Sequence, residues 1–352
     1  MRIFPILVLA VMLFFWLRNR RRTAQLAREA AAAGADLLPQ ERQNTERAAA
    51  DPEADTVTAA LARGAWEPAA RALAAVGTDW ERRSYLVGII SARAVEDDAW
   101  LRAWQAARPD DPDAAVVDAS AKVLLAWELR GGRWAKDTTA EQFAGFHRVL
   151  RQAREDFERA ATLAHPDDPT PYLLQIPLYM GLGAPHDALR ELWAEVTARA
   201  PYHYEAHWRA LNYWFAKWQG SAELSRDFAL RAAATAPRGS LLTMFPLLDW
   251  YEANDDEAPA EAYGRPEVTA LVDAALADVA AARPDHPRLA EVRHLLAYFL
   301  AKAGRHEAAL IQFRLVDGHV GAVPWRYYKN PAKVFCAVRD KALKGALSES
   351  RS

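Results

Sequence analysis

Arg108-Pro109-Asp110-Asp111-Pro112 returns as His165-Pro166-Asp167-Asp168-Pro169 and again as Arg283-Pro284-Asp285-His286-Pro287. Ala200-Pro201 and Ala236-Pro237 are shorter versions. The first proline stops a helix, an acidic or neighbouring residue caps the next, and the second proline can sit in its first turn. The text between these marks has helical spacing. Leu189, Leu192, Trp193 and Val196 fall at i, i+3, i+4 and i+7. Phe143, Phe146, Leu150, Ala153, Phe157, Ala160 and Ala164 form one long seam. Thr139 and Gln142 have capping-box spacing at its start. Pro177 lies inside the next helix and should kink it. No sustained period-2 run rich in Val, Ile and Thr interrupts the pattern, so the predicted fold class is all-α.

The marks also repeat at an informative distance. Pro201 and Pro237 stand 36 residues apart. The same step joins Tyr172 to Trp208, Tyr179 to Phe215 and Leu192 to Phe228. A bulky residue recurring at one point of successive helix pairs, at a period near three dozen, predicts a helical-hairpin solenoid. Pro109 to Pro166 spans 57 residues and Pro237 to Pro284 spans 47, so both units carry insertions. In the second, Asn254 to Gly264 is the surplus. Its Asp255, Asp256, Glu257 and Glu261 lack the alternating ligands and central glycine of a calcium loop and read as a solvated loop.

Composition agrees. The 352 residues are 51% apolar and 26% charged, enough for a continuous core. Abundant alanine favours helix, and alanine with arginine reads as the footprint of a GC-rich genome. The net charge of −2 gives no basic balance for nucleic acid. Cys336 is the sole cysteine, so no intramolecular disulfide forms, and its apolar neighbours favour an inert thiol. The sequence has no G-x-x-x-x-G-K-[ST], G-x-S-x-G, H-E-x-x-H or C-x-x-C. Nothing positive indicates an enzyme, and no cofactor is expected.

Ile3 to Leu17 is an uncharged apolar run followed by Arg18, Arg20, Arg21 and Arg22. As a helix it covers roughly 22 Å, short of a hydrocarbon core of about 30 Å, and snorkelling arginines can close the gap. A cleaved signal peptide competes with an uncleaved single transmembrane helix. The run ends in Phe14-Phe15-Trp16-Leu17 with no small-residue cleavage site directly after it, which favours the anchor. Arginines on the far side place the body in the cytoplasm, at the inner (plasma) membrane. A periplasmic or secreted body is the alternative. The expected organisation is an anchor with its basic stop over 1–22, a tether over 23–55, helical repeats over 56–317 and a capping segment with tail over 318–352.

Leu296, Ala297, Leu300, Gly304, Glu307, Ala309 and Phe313 resemble one tetratricopeptide (TPR) unit: large and small residues on a first helix, a turn glycine, then a small–aromatic pair. Trp208, Leu211, Phe215 and Phe228 resemble the same pattern, with Leu224 where a small residue is usual. The resemblance covers roughly residues 56–317. It implies a superhelix whose concave groove binds peptides or protein surfaces. His207-Trp208 with Lys217-Trp218-Gln219-Gly220-Ser221 is similar to a TPR-like bacterial family with a Lys-Trp-x-Gly-Ser segment, a likeness that brings no activity with it.

Candidate binding residues cluster from Tyr202 to Trp218. Trp208, Arg209, Trp214, Lys217 and Trp218 are either groove anchors or the packed centre of the solenoid. His203 and His207, four apart, are weak metal candidates, since no third ligand is assigned. Trp325 and Arg326 either form an exposed ligand-binding turn or belong to a cap ahead of a final helix begun by Asn330-Pro331. The expected function is a membrane-anchored, cytoplasm-facing protein-interaction scaffold with a protein or peptide partner. A small-ligand or metal-dependent enzyme using the pocket around 202–221 is the alternative.

Overall fold

The computed structural model describes residues 34–131, 140–254 and 258–350. The apolar run 3–17, its arginines Arg18, Arg20, Arg21 and Arg22, the beginning of the expected tether, Thr139, and Asp255, Asp256 and Glu257 lie outside the described residues. Among the described residues the fold is all-helical, with seventeen α-helices and no strand. Only an isolated parallel bridge pairs Asn44 with His319. No described helix is long and apolar enough to cross a membrane.

The chain divides into two compact units. The larger takes residues 51–256 and 277–289. Its helices are α1 Pro52–Leu61, α2 Glu67–Val76, α3 Trp80–Glu96, α4 Ala99–Ala107, α5 Pro112–Arg130, α6 Ala140–Leu163, α7 Thr170–Leu173, α8 Ile176–Leu182, α9 His186–Arg199, α10 Tyr204–Trp214, α11 Ala222–Thr235 and α12 Phe245–Asn254. Two Asp-Pro pairs work as capping devices, whereas at the His165–Pro169 mark Pro169 itself stands at the cap position of α7 with no side-chain cap. Asp51 accepts from the Ala54 amide with Pro52 in the first turn of α1. Asp111 accepts from the Asp113 and Ala114 amides with Pro112 opening α5. Each side chain satisfies donors that the first helical turn leaves unpaired.

The apolar stripes then meet. Leu86, Val87 and Ile90 of α3, Val116, Val117 and Val123 of α5, and Phe146, Leu150 and Phe157 of α6 are all buried. Each fully buried side chain of this size stabilises by about 1.5–3 kcal/mol before entropy is counted. The helix expected to kink at Pro177 is instead divided. α7 ends at Leu173, and Pro177 stands in the first turn of α8. Proline supplies no amide hydrogen to a continuing helix, so a fresh start there leaves no donor missing. Farther on, α9 and α11 are both 14 residues long and begin 36 residues apart, at His186 and Ala222.

The smaller unit takes residues 1–50, 257–276 and 290–352. It contains α13 Ala260–Tyr263, the first part of α14 Pro266–Ala281, nearly all of α15 Leu289–Lys302, α16 His306–Val316 and α17 Pro331–Glu349. Leu296, Ala297, Leu300, Ala309 and Phe313 are fully buried, and Gly304 turns between α15 and α16 at φ +75°. Asn330 caps α17, which continues past Lys344 to Glu349. Tyr298, Phe313, Trp325 and Phe335 form an aromatic core.

Residues 34–50, expected to belong to the tether, are fixed to this unit. The Asn44 amide donates to Gly318 O at 2.8 Å, and Val320 donates back to Asn44 O at 2.7 Å. Gln43 and Arg339 both donate to Asp317 Oδ1. Backbone and buried polar pairing holds this segment, which its scarcity of large apolar residues does not announce.

Candidate docking pocket between α9, α10 and α11

α9 and α11, equal in length and 36 residues apart, each contribute residues to a pocket beside α10. Leu189, Trp193 and Thr197 come from α9, His207 and Trp214 from α10, and Phe228, Arg231, Ala232 and Thr235 from α11. With Arg190 and Pro201 they line a pocket of about 360 Å³. That volume lies toward the small end of ligand sites. Phe228 is buried, while Trp193 is half-buried. Arginines are the charged residues in the lining. Arg190 pairs with Asp187 at 2.6 Å, whereas Arg231 stands 3.9 Å from Asp227, too far for a hydrogen bond.

His207 is 6% exposed and packs edge-on to Trp193, with ring centroids 4.9 Å apart. Phe228 and Phe245 stand 5.8 Å away. Burial pushes the imidazole pKa down to about 4, so the ring is neutral near pH 7. Its Nδ1 lies 2.9 Å from His203 O, a carbonyl that only accepts. Nδ1 therefore carries the hydrogen, and Nε2 is a bare acceptor. Among the described residues Nε2 has no hydrogen-bond partner, yet it is not sealed from solvent.

The start of α10 is held by α3. His203 caps the helix through Nδ1, which accepts from the Ala206 amide at 3.3 Å. Its Nε2 lies 3.1 Å from Trp80 O and 3.2 Å from Ser84 Oγ. Glu81 accepts from the Tyr204 amide. Burial would raise the Glu205 pKa, but Arg288 and Arg209 outweigh it and bring it down to about 2. Arg288 reaches Glu205 at 2.7 Å. Arg209 Nε is equally close but off the line of a good hydrogen bond. Arg283 clasps Asp79, the cap of α3, with two hydrogen bonds. The mark Arg283 to Pro287, with Arg288 behind it, thus fixes two helix starts as well as ending a helix.

The sequence candidates divide accordingly. His207 and Trp214 line the pocket. Trp208 is half-buried and Arg209 is tied to Glu205, and neither lines it. α10 ends at Trp214, before Lys217, and the chain turns through Gly220, where a Cβ would run into the Trp214 carbonyl. Lys217 pairs with Glu252 at 2.6 Å. Trp218 meets Trp127 edge-on at 5.2 Å, and Arg130 lies over both rings. Trp325 is fully buried and donates to His294 at 3.0 Å, while Arg326 is exposed beside Tyr327. Both His203 nitrogens face protein partners, and no three His, Cys, Asp or Glu among the described residues are grouped to hold a metal. Sequence marks Trp193 only as part of an apolar helix face, and Arg190, Thr197 and Arg231 not at all. The usable signal was the 36-residue step itself, which makes Leu192 and Phe228 equivalent and sets α9 and α11 on either side of α10.

No family model matches the chain, and neither the curated proteins nor the solved structures contain a match to it.

Proposed function

We propose that this chain is a membrane-anchored, cytoplasm-facing protein-interaction scaffold built from TPR-like helix pairs, and that the pocket between α9, α10 and α11 receives part of a protein partner. The pocket carries the reading: two equivalent helices flank a third and leave an aromatic recess whose charged lining is basic. The equal lengths and 36-residue offset of α9 and α11 support a repeat architecture. The resemblance around Gly304 supports its TPR-like character. Ile3 to Leu17, with the arginines behind it, supports an uncleaved anchor and a cytoplasmic body.

Two experiments test this. A topology reporter fused after Ser352 should report the cytoplasmic side, and a periplasmic signal overturns the orientation. A photo-crosslinking residue replacing Thr197 or Arg231 in the full chain, in membranes, should trap the same polypeptide. The same residue at the remote Arg102 should not. Equal trapping from all three positions overturns the assignment of the pocket.

A further inference from the structure

We propose that the pocket recognises a tyrosine side chain in an acidic segment of the partner, with the phenol seated against His207. This rests on the scaffold reading and names the chemistry of its partner. His207 supplies the first observation. Its Nε2 is an acceptor without a protein partner on a side chain more than nine-tenths buried in the lining. An apolar residue would pack there without an unsatisfied atom. The nitrogen therefore calls for a ligand that brings a hydrogen.

The walls define the rest of the group. Trp193, Trp214 and Phe228 offer ring faces and edges suited to an aromatic ring. The indole N–H groups of Trp193 and Trp214 have no hydrogen-bond acceptor among the described residues and are not sealed off. The lining thus offers Nε2 as an acceptor and the indoles as donors, beside the hydroxyls of Thr197 and Thr235, whose hydrogens go to Trp193 O and Arg231 O. A hydroxyl can donate to Nε2 and accept from an indole at once, whereas an indole N–H meets only the first need and a carboxamide brings no ring to the aromatic walls. A phenol combines that hydroxyl with a ring. A phosphorylated tyrosine lacks the donor hydrogen and would bring a dianion against a neutral, aromatic floor.

Charge complementarity selects the flanks. The lining contains arginines and no carboxylate, and Arg231 has no hydrogen-bonded acid. Aspartate or glutamate beside the tyrosine would meet Arg231 at the mouth.

The test is titration of the full chain, in detergent, with a fluorescent acidic peptide carrying one tyrosine. Phenylalanine and phosphotyrosine versions run in parallel. The tyrosine peptide should bind about 10-fold more tightly than the phenylalanine peptide and more tightly than the phosphotyrosine peptide. His207→Leu should remove most of the tyrosine peptide's advantage over the phenylalanine peptide. Arg231→Glu, on an exposed position that the fold does not need, should weaken the acidic peptide several-fold and tighten a lysine-flanked version. Should His207→Leu fail to fold, Trp193→Phe, which keeps a ring and removes a donor, should still narrow the tyrosine preference.

Equal binding of tyrosine and phenylalanine peptides to the unaltered chain overturns the phenol assignment and leaves the scaffold reading standing. Preference for phosphotyrosine overturns it in favour of an anion site. If no peptide binds while free p-cresol does, in a manner dependent on His207, the pocket is a small-molecule site and both readings fall.

Discussion

Arg83 on α3 donates through Nε to Asp168 over 2.7 Å, joining the helix to a proline mark 85 residues further along the chain. Its Nη2 reaches Asp113, just past the preceding mark, at 2.6 Å. One buried guanidinium therefore ties the first turn of α5 and the loop before α7 to one helix. Arg83→Ala would strand two largely buried carboxylates and should destabilise the larger unit by about 3–5 kcal/mol. The apolar set Arg83→Met, Asp113→Leu and Asp168→Leu should recover much of that in a urea titration. No loss in the single variant would mean that the carboxylates find water instead.

The tryptophans differ in what their removal should cost. Trp104 is fully buried, stacked on Trp66 at 5.5 Å, and donates to Asp111, the cap of α5, at 2.9 Å. Trp104→Ala should cost about 3–5 kcal/mol. Trp208 is half-buried on α10. Trp208→Ala should fall below the range given for Trp104→Ala, because part of the ring already meets water. Equal losses in chemical denaturation would contradict the burial difference.

These contrasts show which parts of the fold the sequence carries. The cap devices at Asp51-Pro52, Asp111-Pro112 and Asn330-Pro331 are local, so the helix starts are legible. The step from Leu192 to Phe228 is also legible, and both side chains are buried. What stays hidden is where a long polar side chain ends. Arg83 could have faced solvent, and nothing near it in sequence names Asp168. The pocket was half legible. Aromatic density marked α10, but Trp193 and Arg231 join it only once α9 and α11 are placed on either side. His207 was visible as a possible metal ligand. Its role as a neutral acceptor depends on the His203 carbonyl one turn away.

Acid should weaken the two units through different histidines. Burial brings His207 in the larger unit and His294 in the smaller down to a pKa of about 4. An unfolded histidine protonates near pH 6.5. Between these values the unfolded chain holds the extra proton, so stability falls as pH drops below about 6.5 and this loss is complete below about 4. Each histidine accounts for roughly 3 kcal/mol at the limit. Glu205 acts in a lower window. Its folded pKa of about 2 lies below the unfolded value, so its stabilisation is lost as pH falls from about 4.5 toward 2. Unfolding midpoints at pH 7 and pH 5 should therefore differ, and His207→Gln should narrow the difference for the larger unit. An unchanged midpoint between those values would show that the rings already protonate freely in the folded chain.

Trp325 and His294 offer the sharpest check on the smaller unit. The indole donates to His294 Nδ1 at 3.0 Å, and the other ring nitrogen lies 3.1 Å from Ala48 O. The imidazole is therefore satisfied only as the tautomer with hydrogen on Nε2, linking the segment near Ala48 to the aromatic core. Trp325→Phe keeps a ring among Tyr298, Phe313 and Phe335 but leaves Nδ1 unpaired, at about 1–3 kcal/mol, besides the smaller ring's packing loss. Adding His294→Leu removes the unpaired nitrogen but also frees the Ala48 carbonyl. The double variant should therefore recover only part of the loss. It should also speed amide exchange across residues 44–50, which Trp325→Phe alone should leave slow. Fast exchange there in the single variant would place the tie in the packing of the indole ring and not in the imidazole bridge.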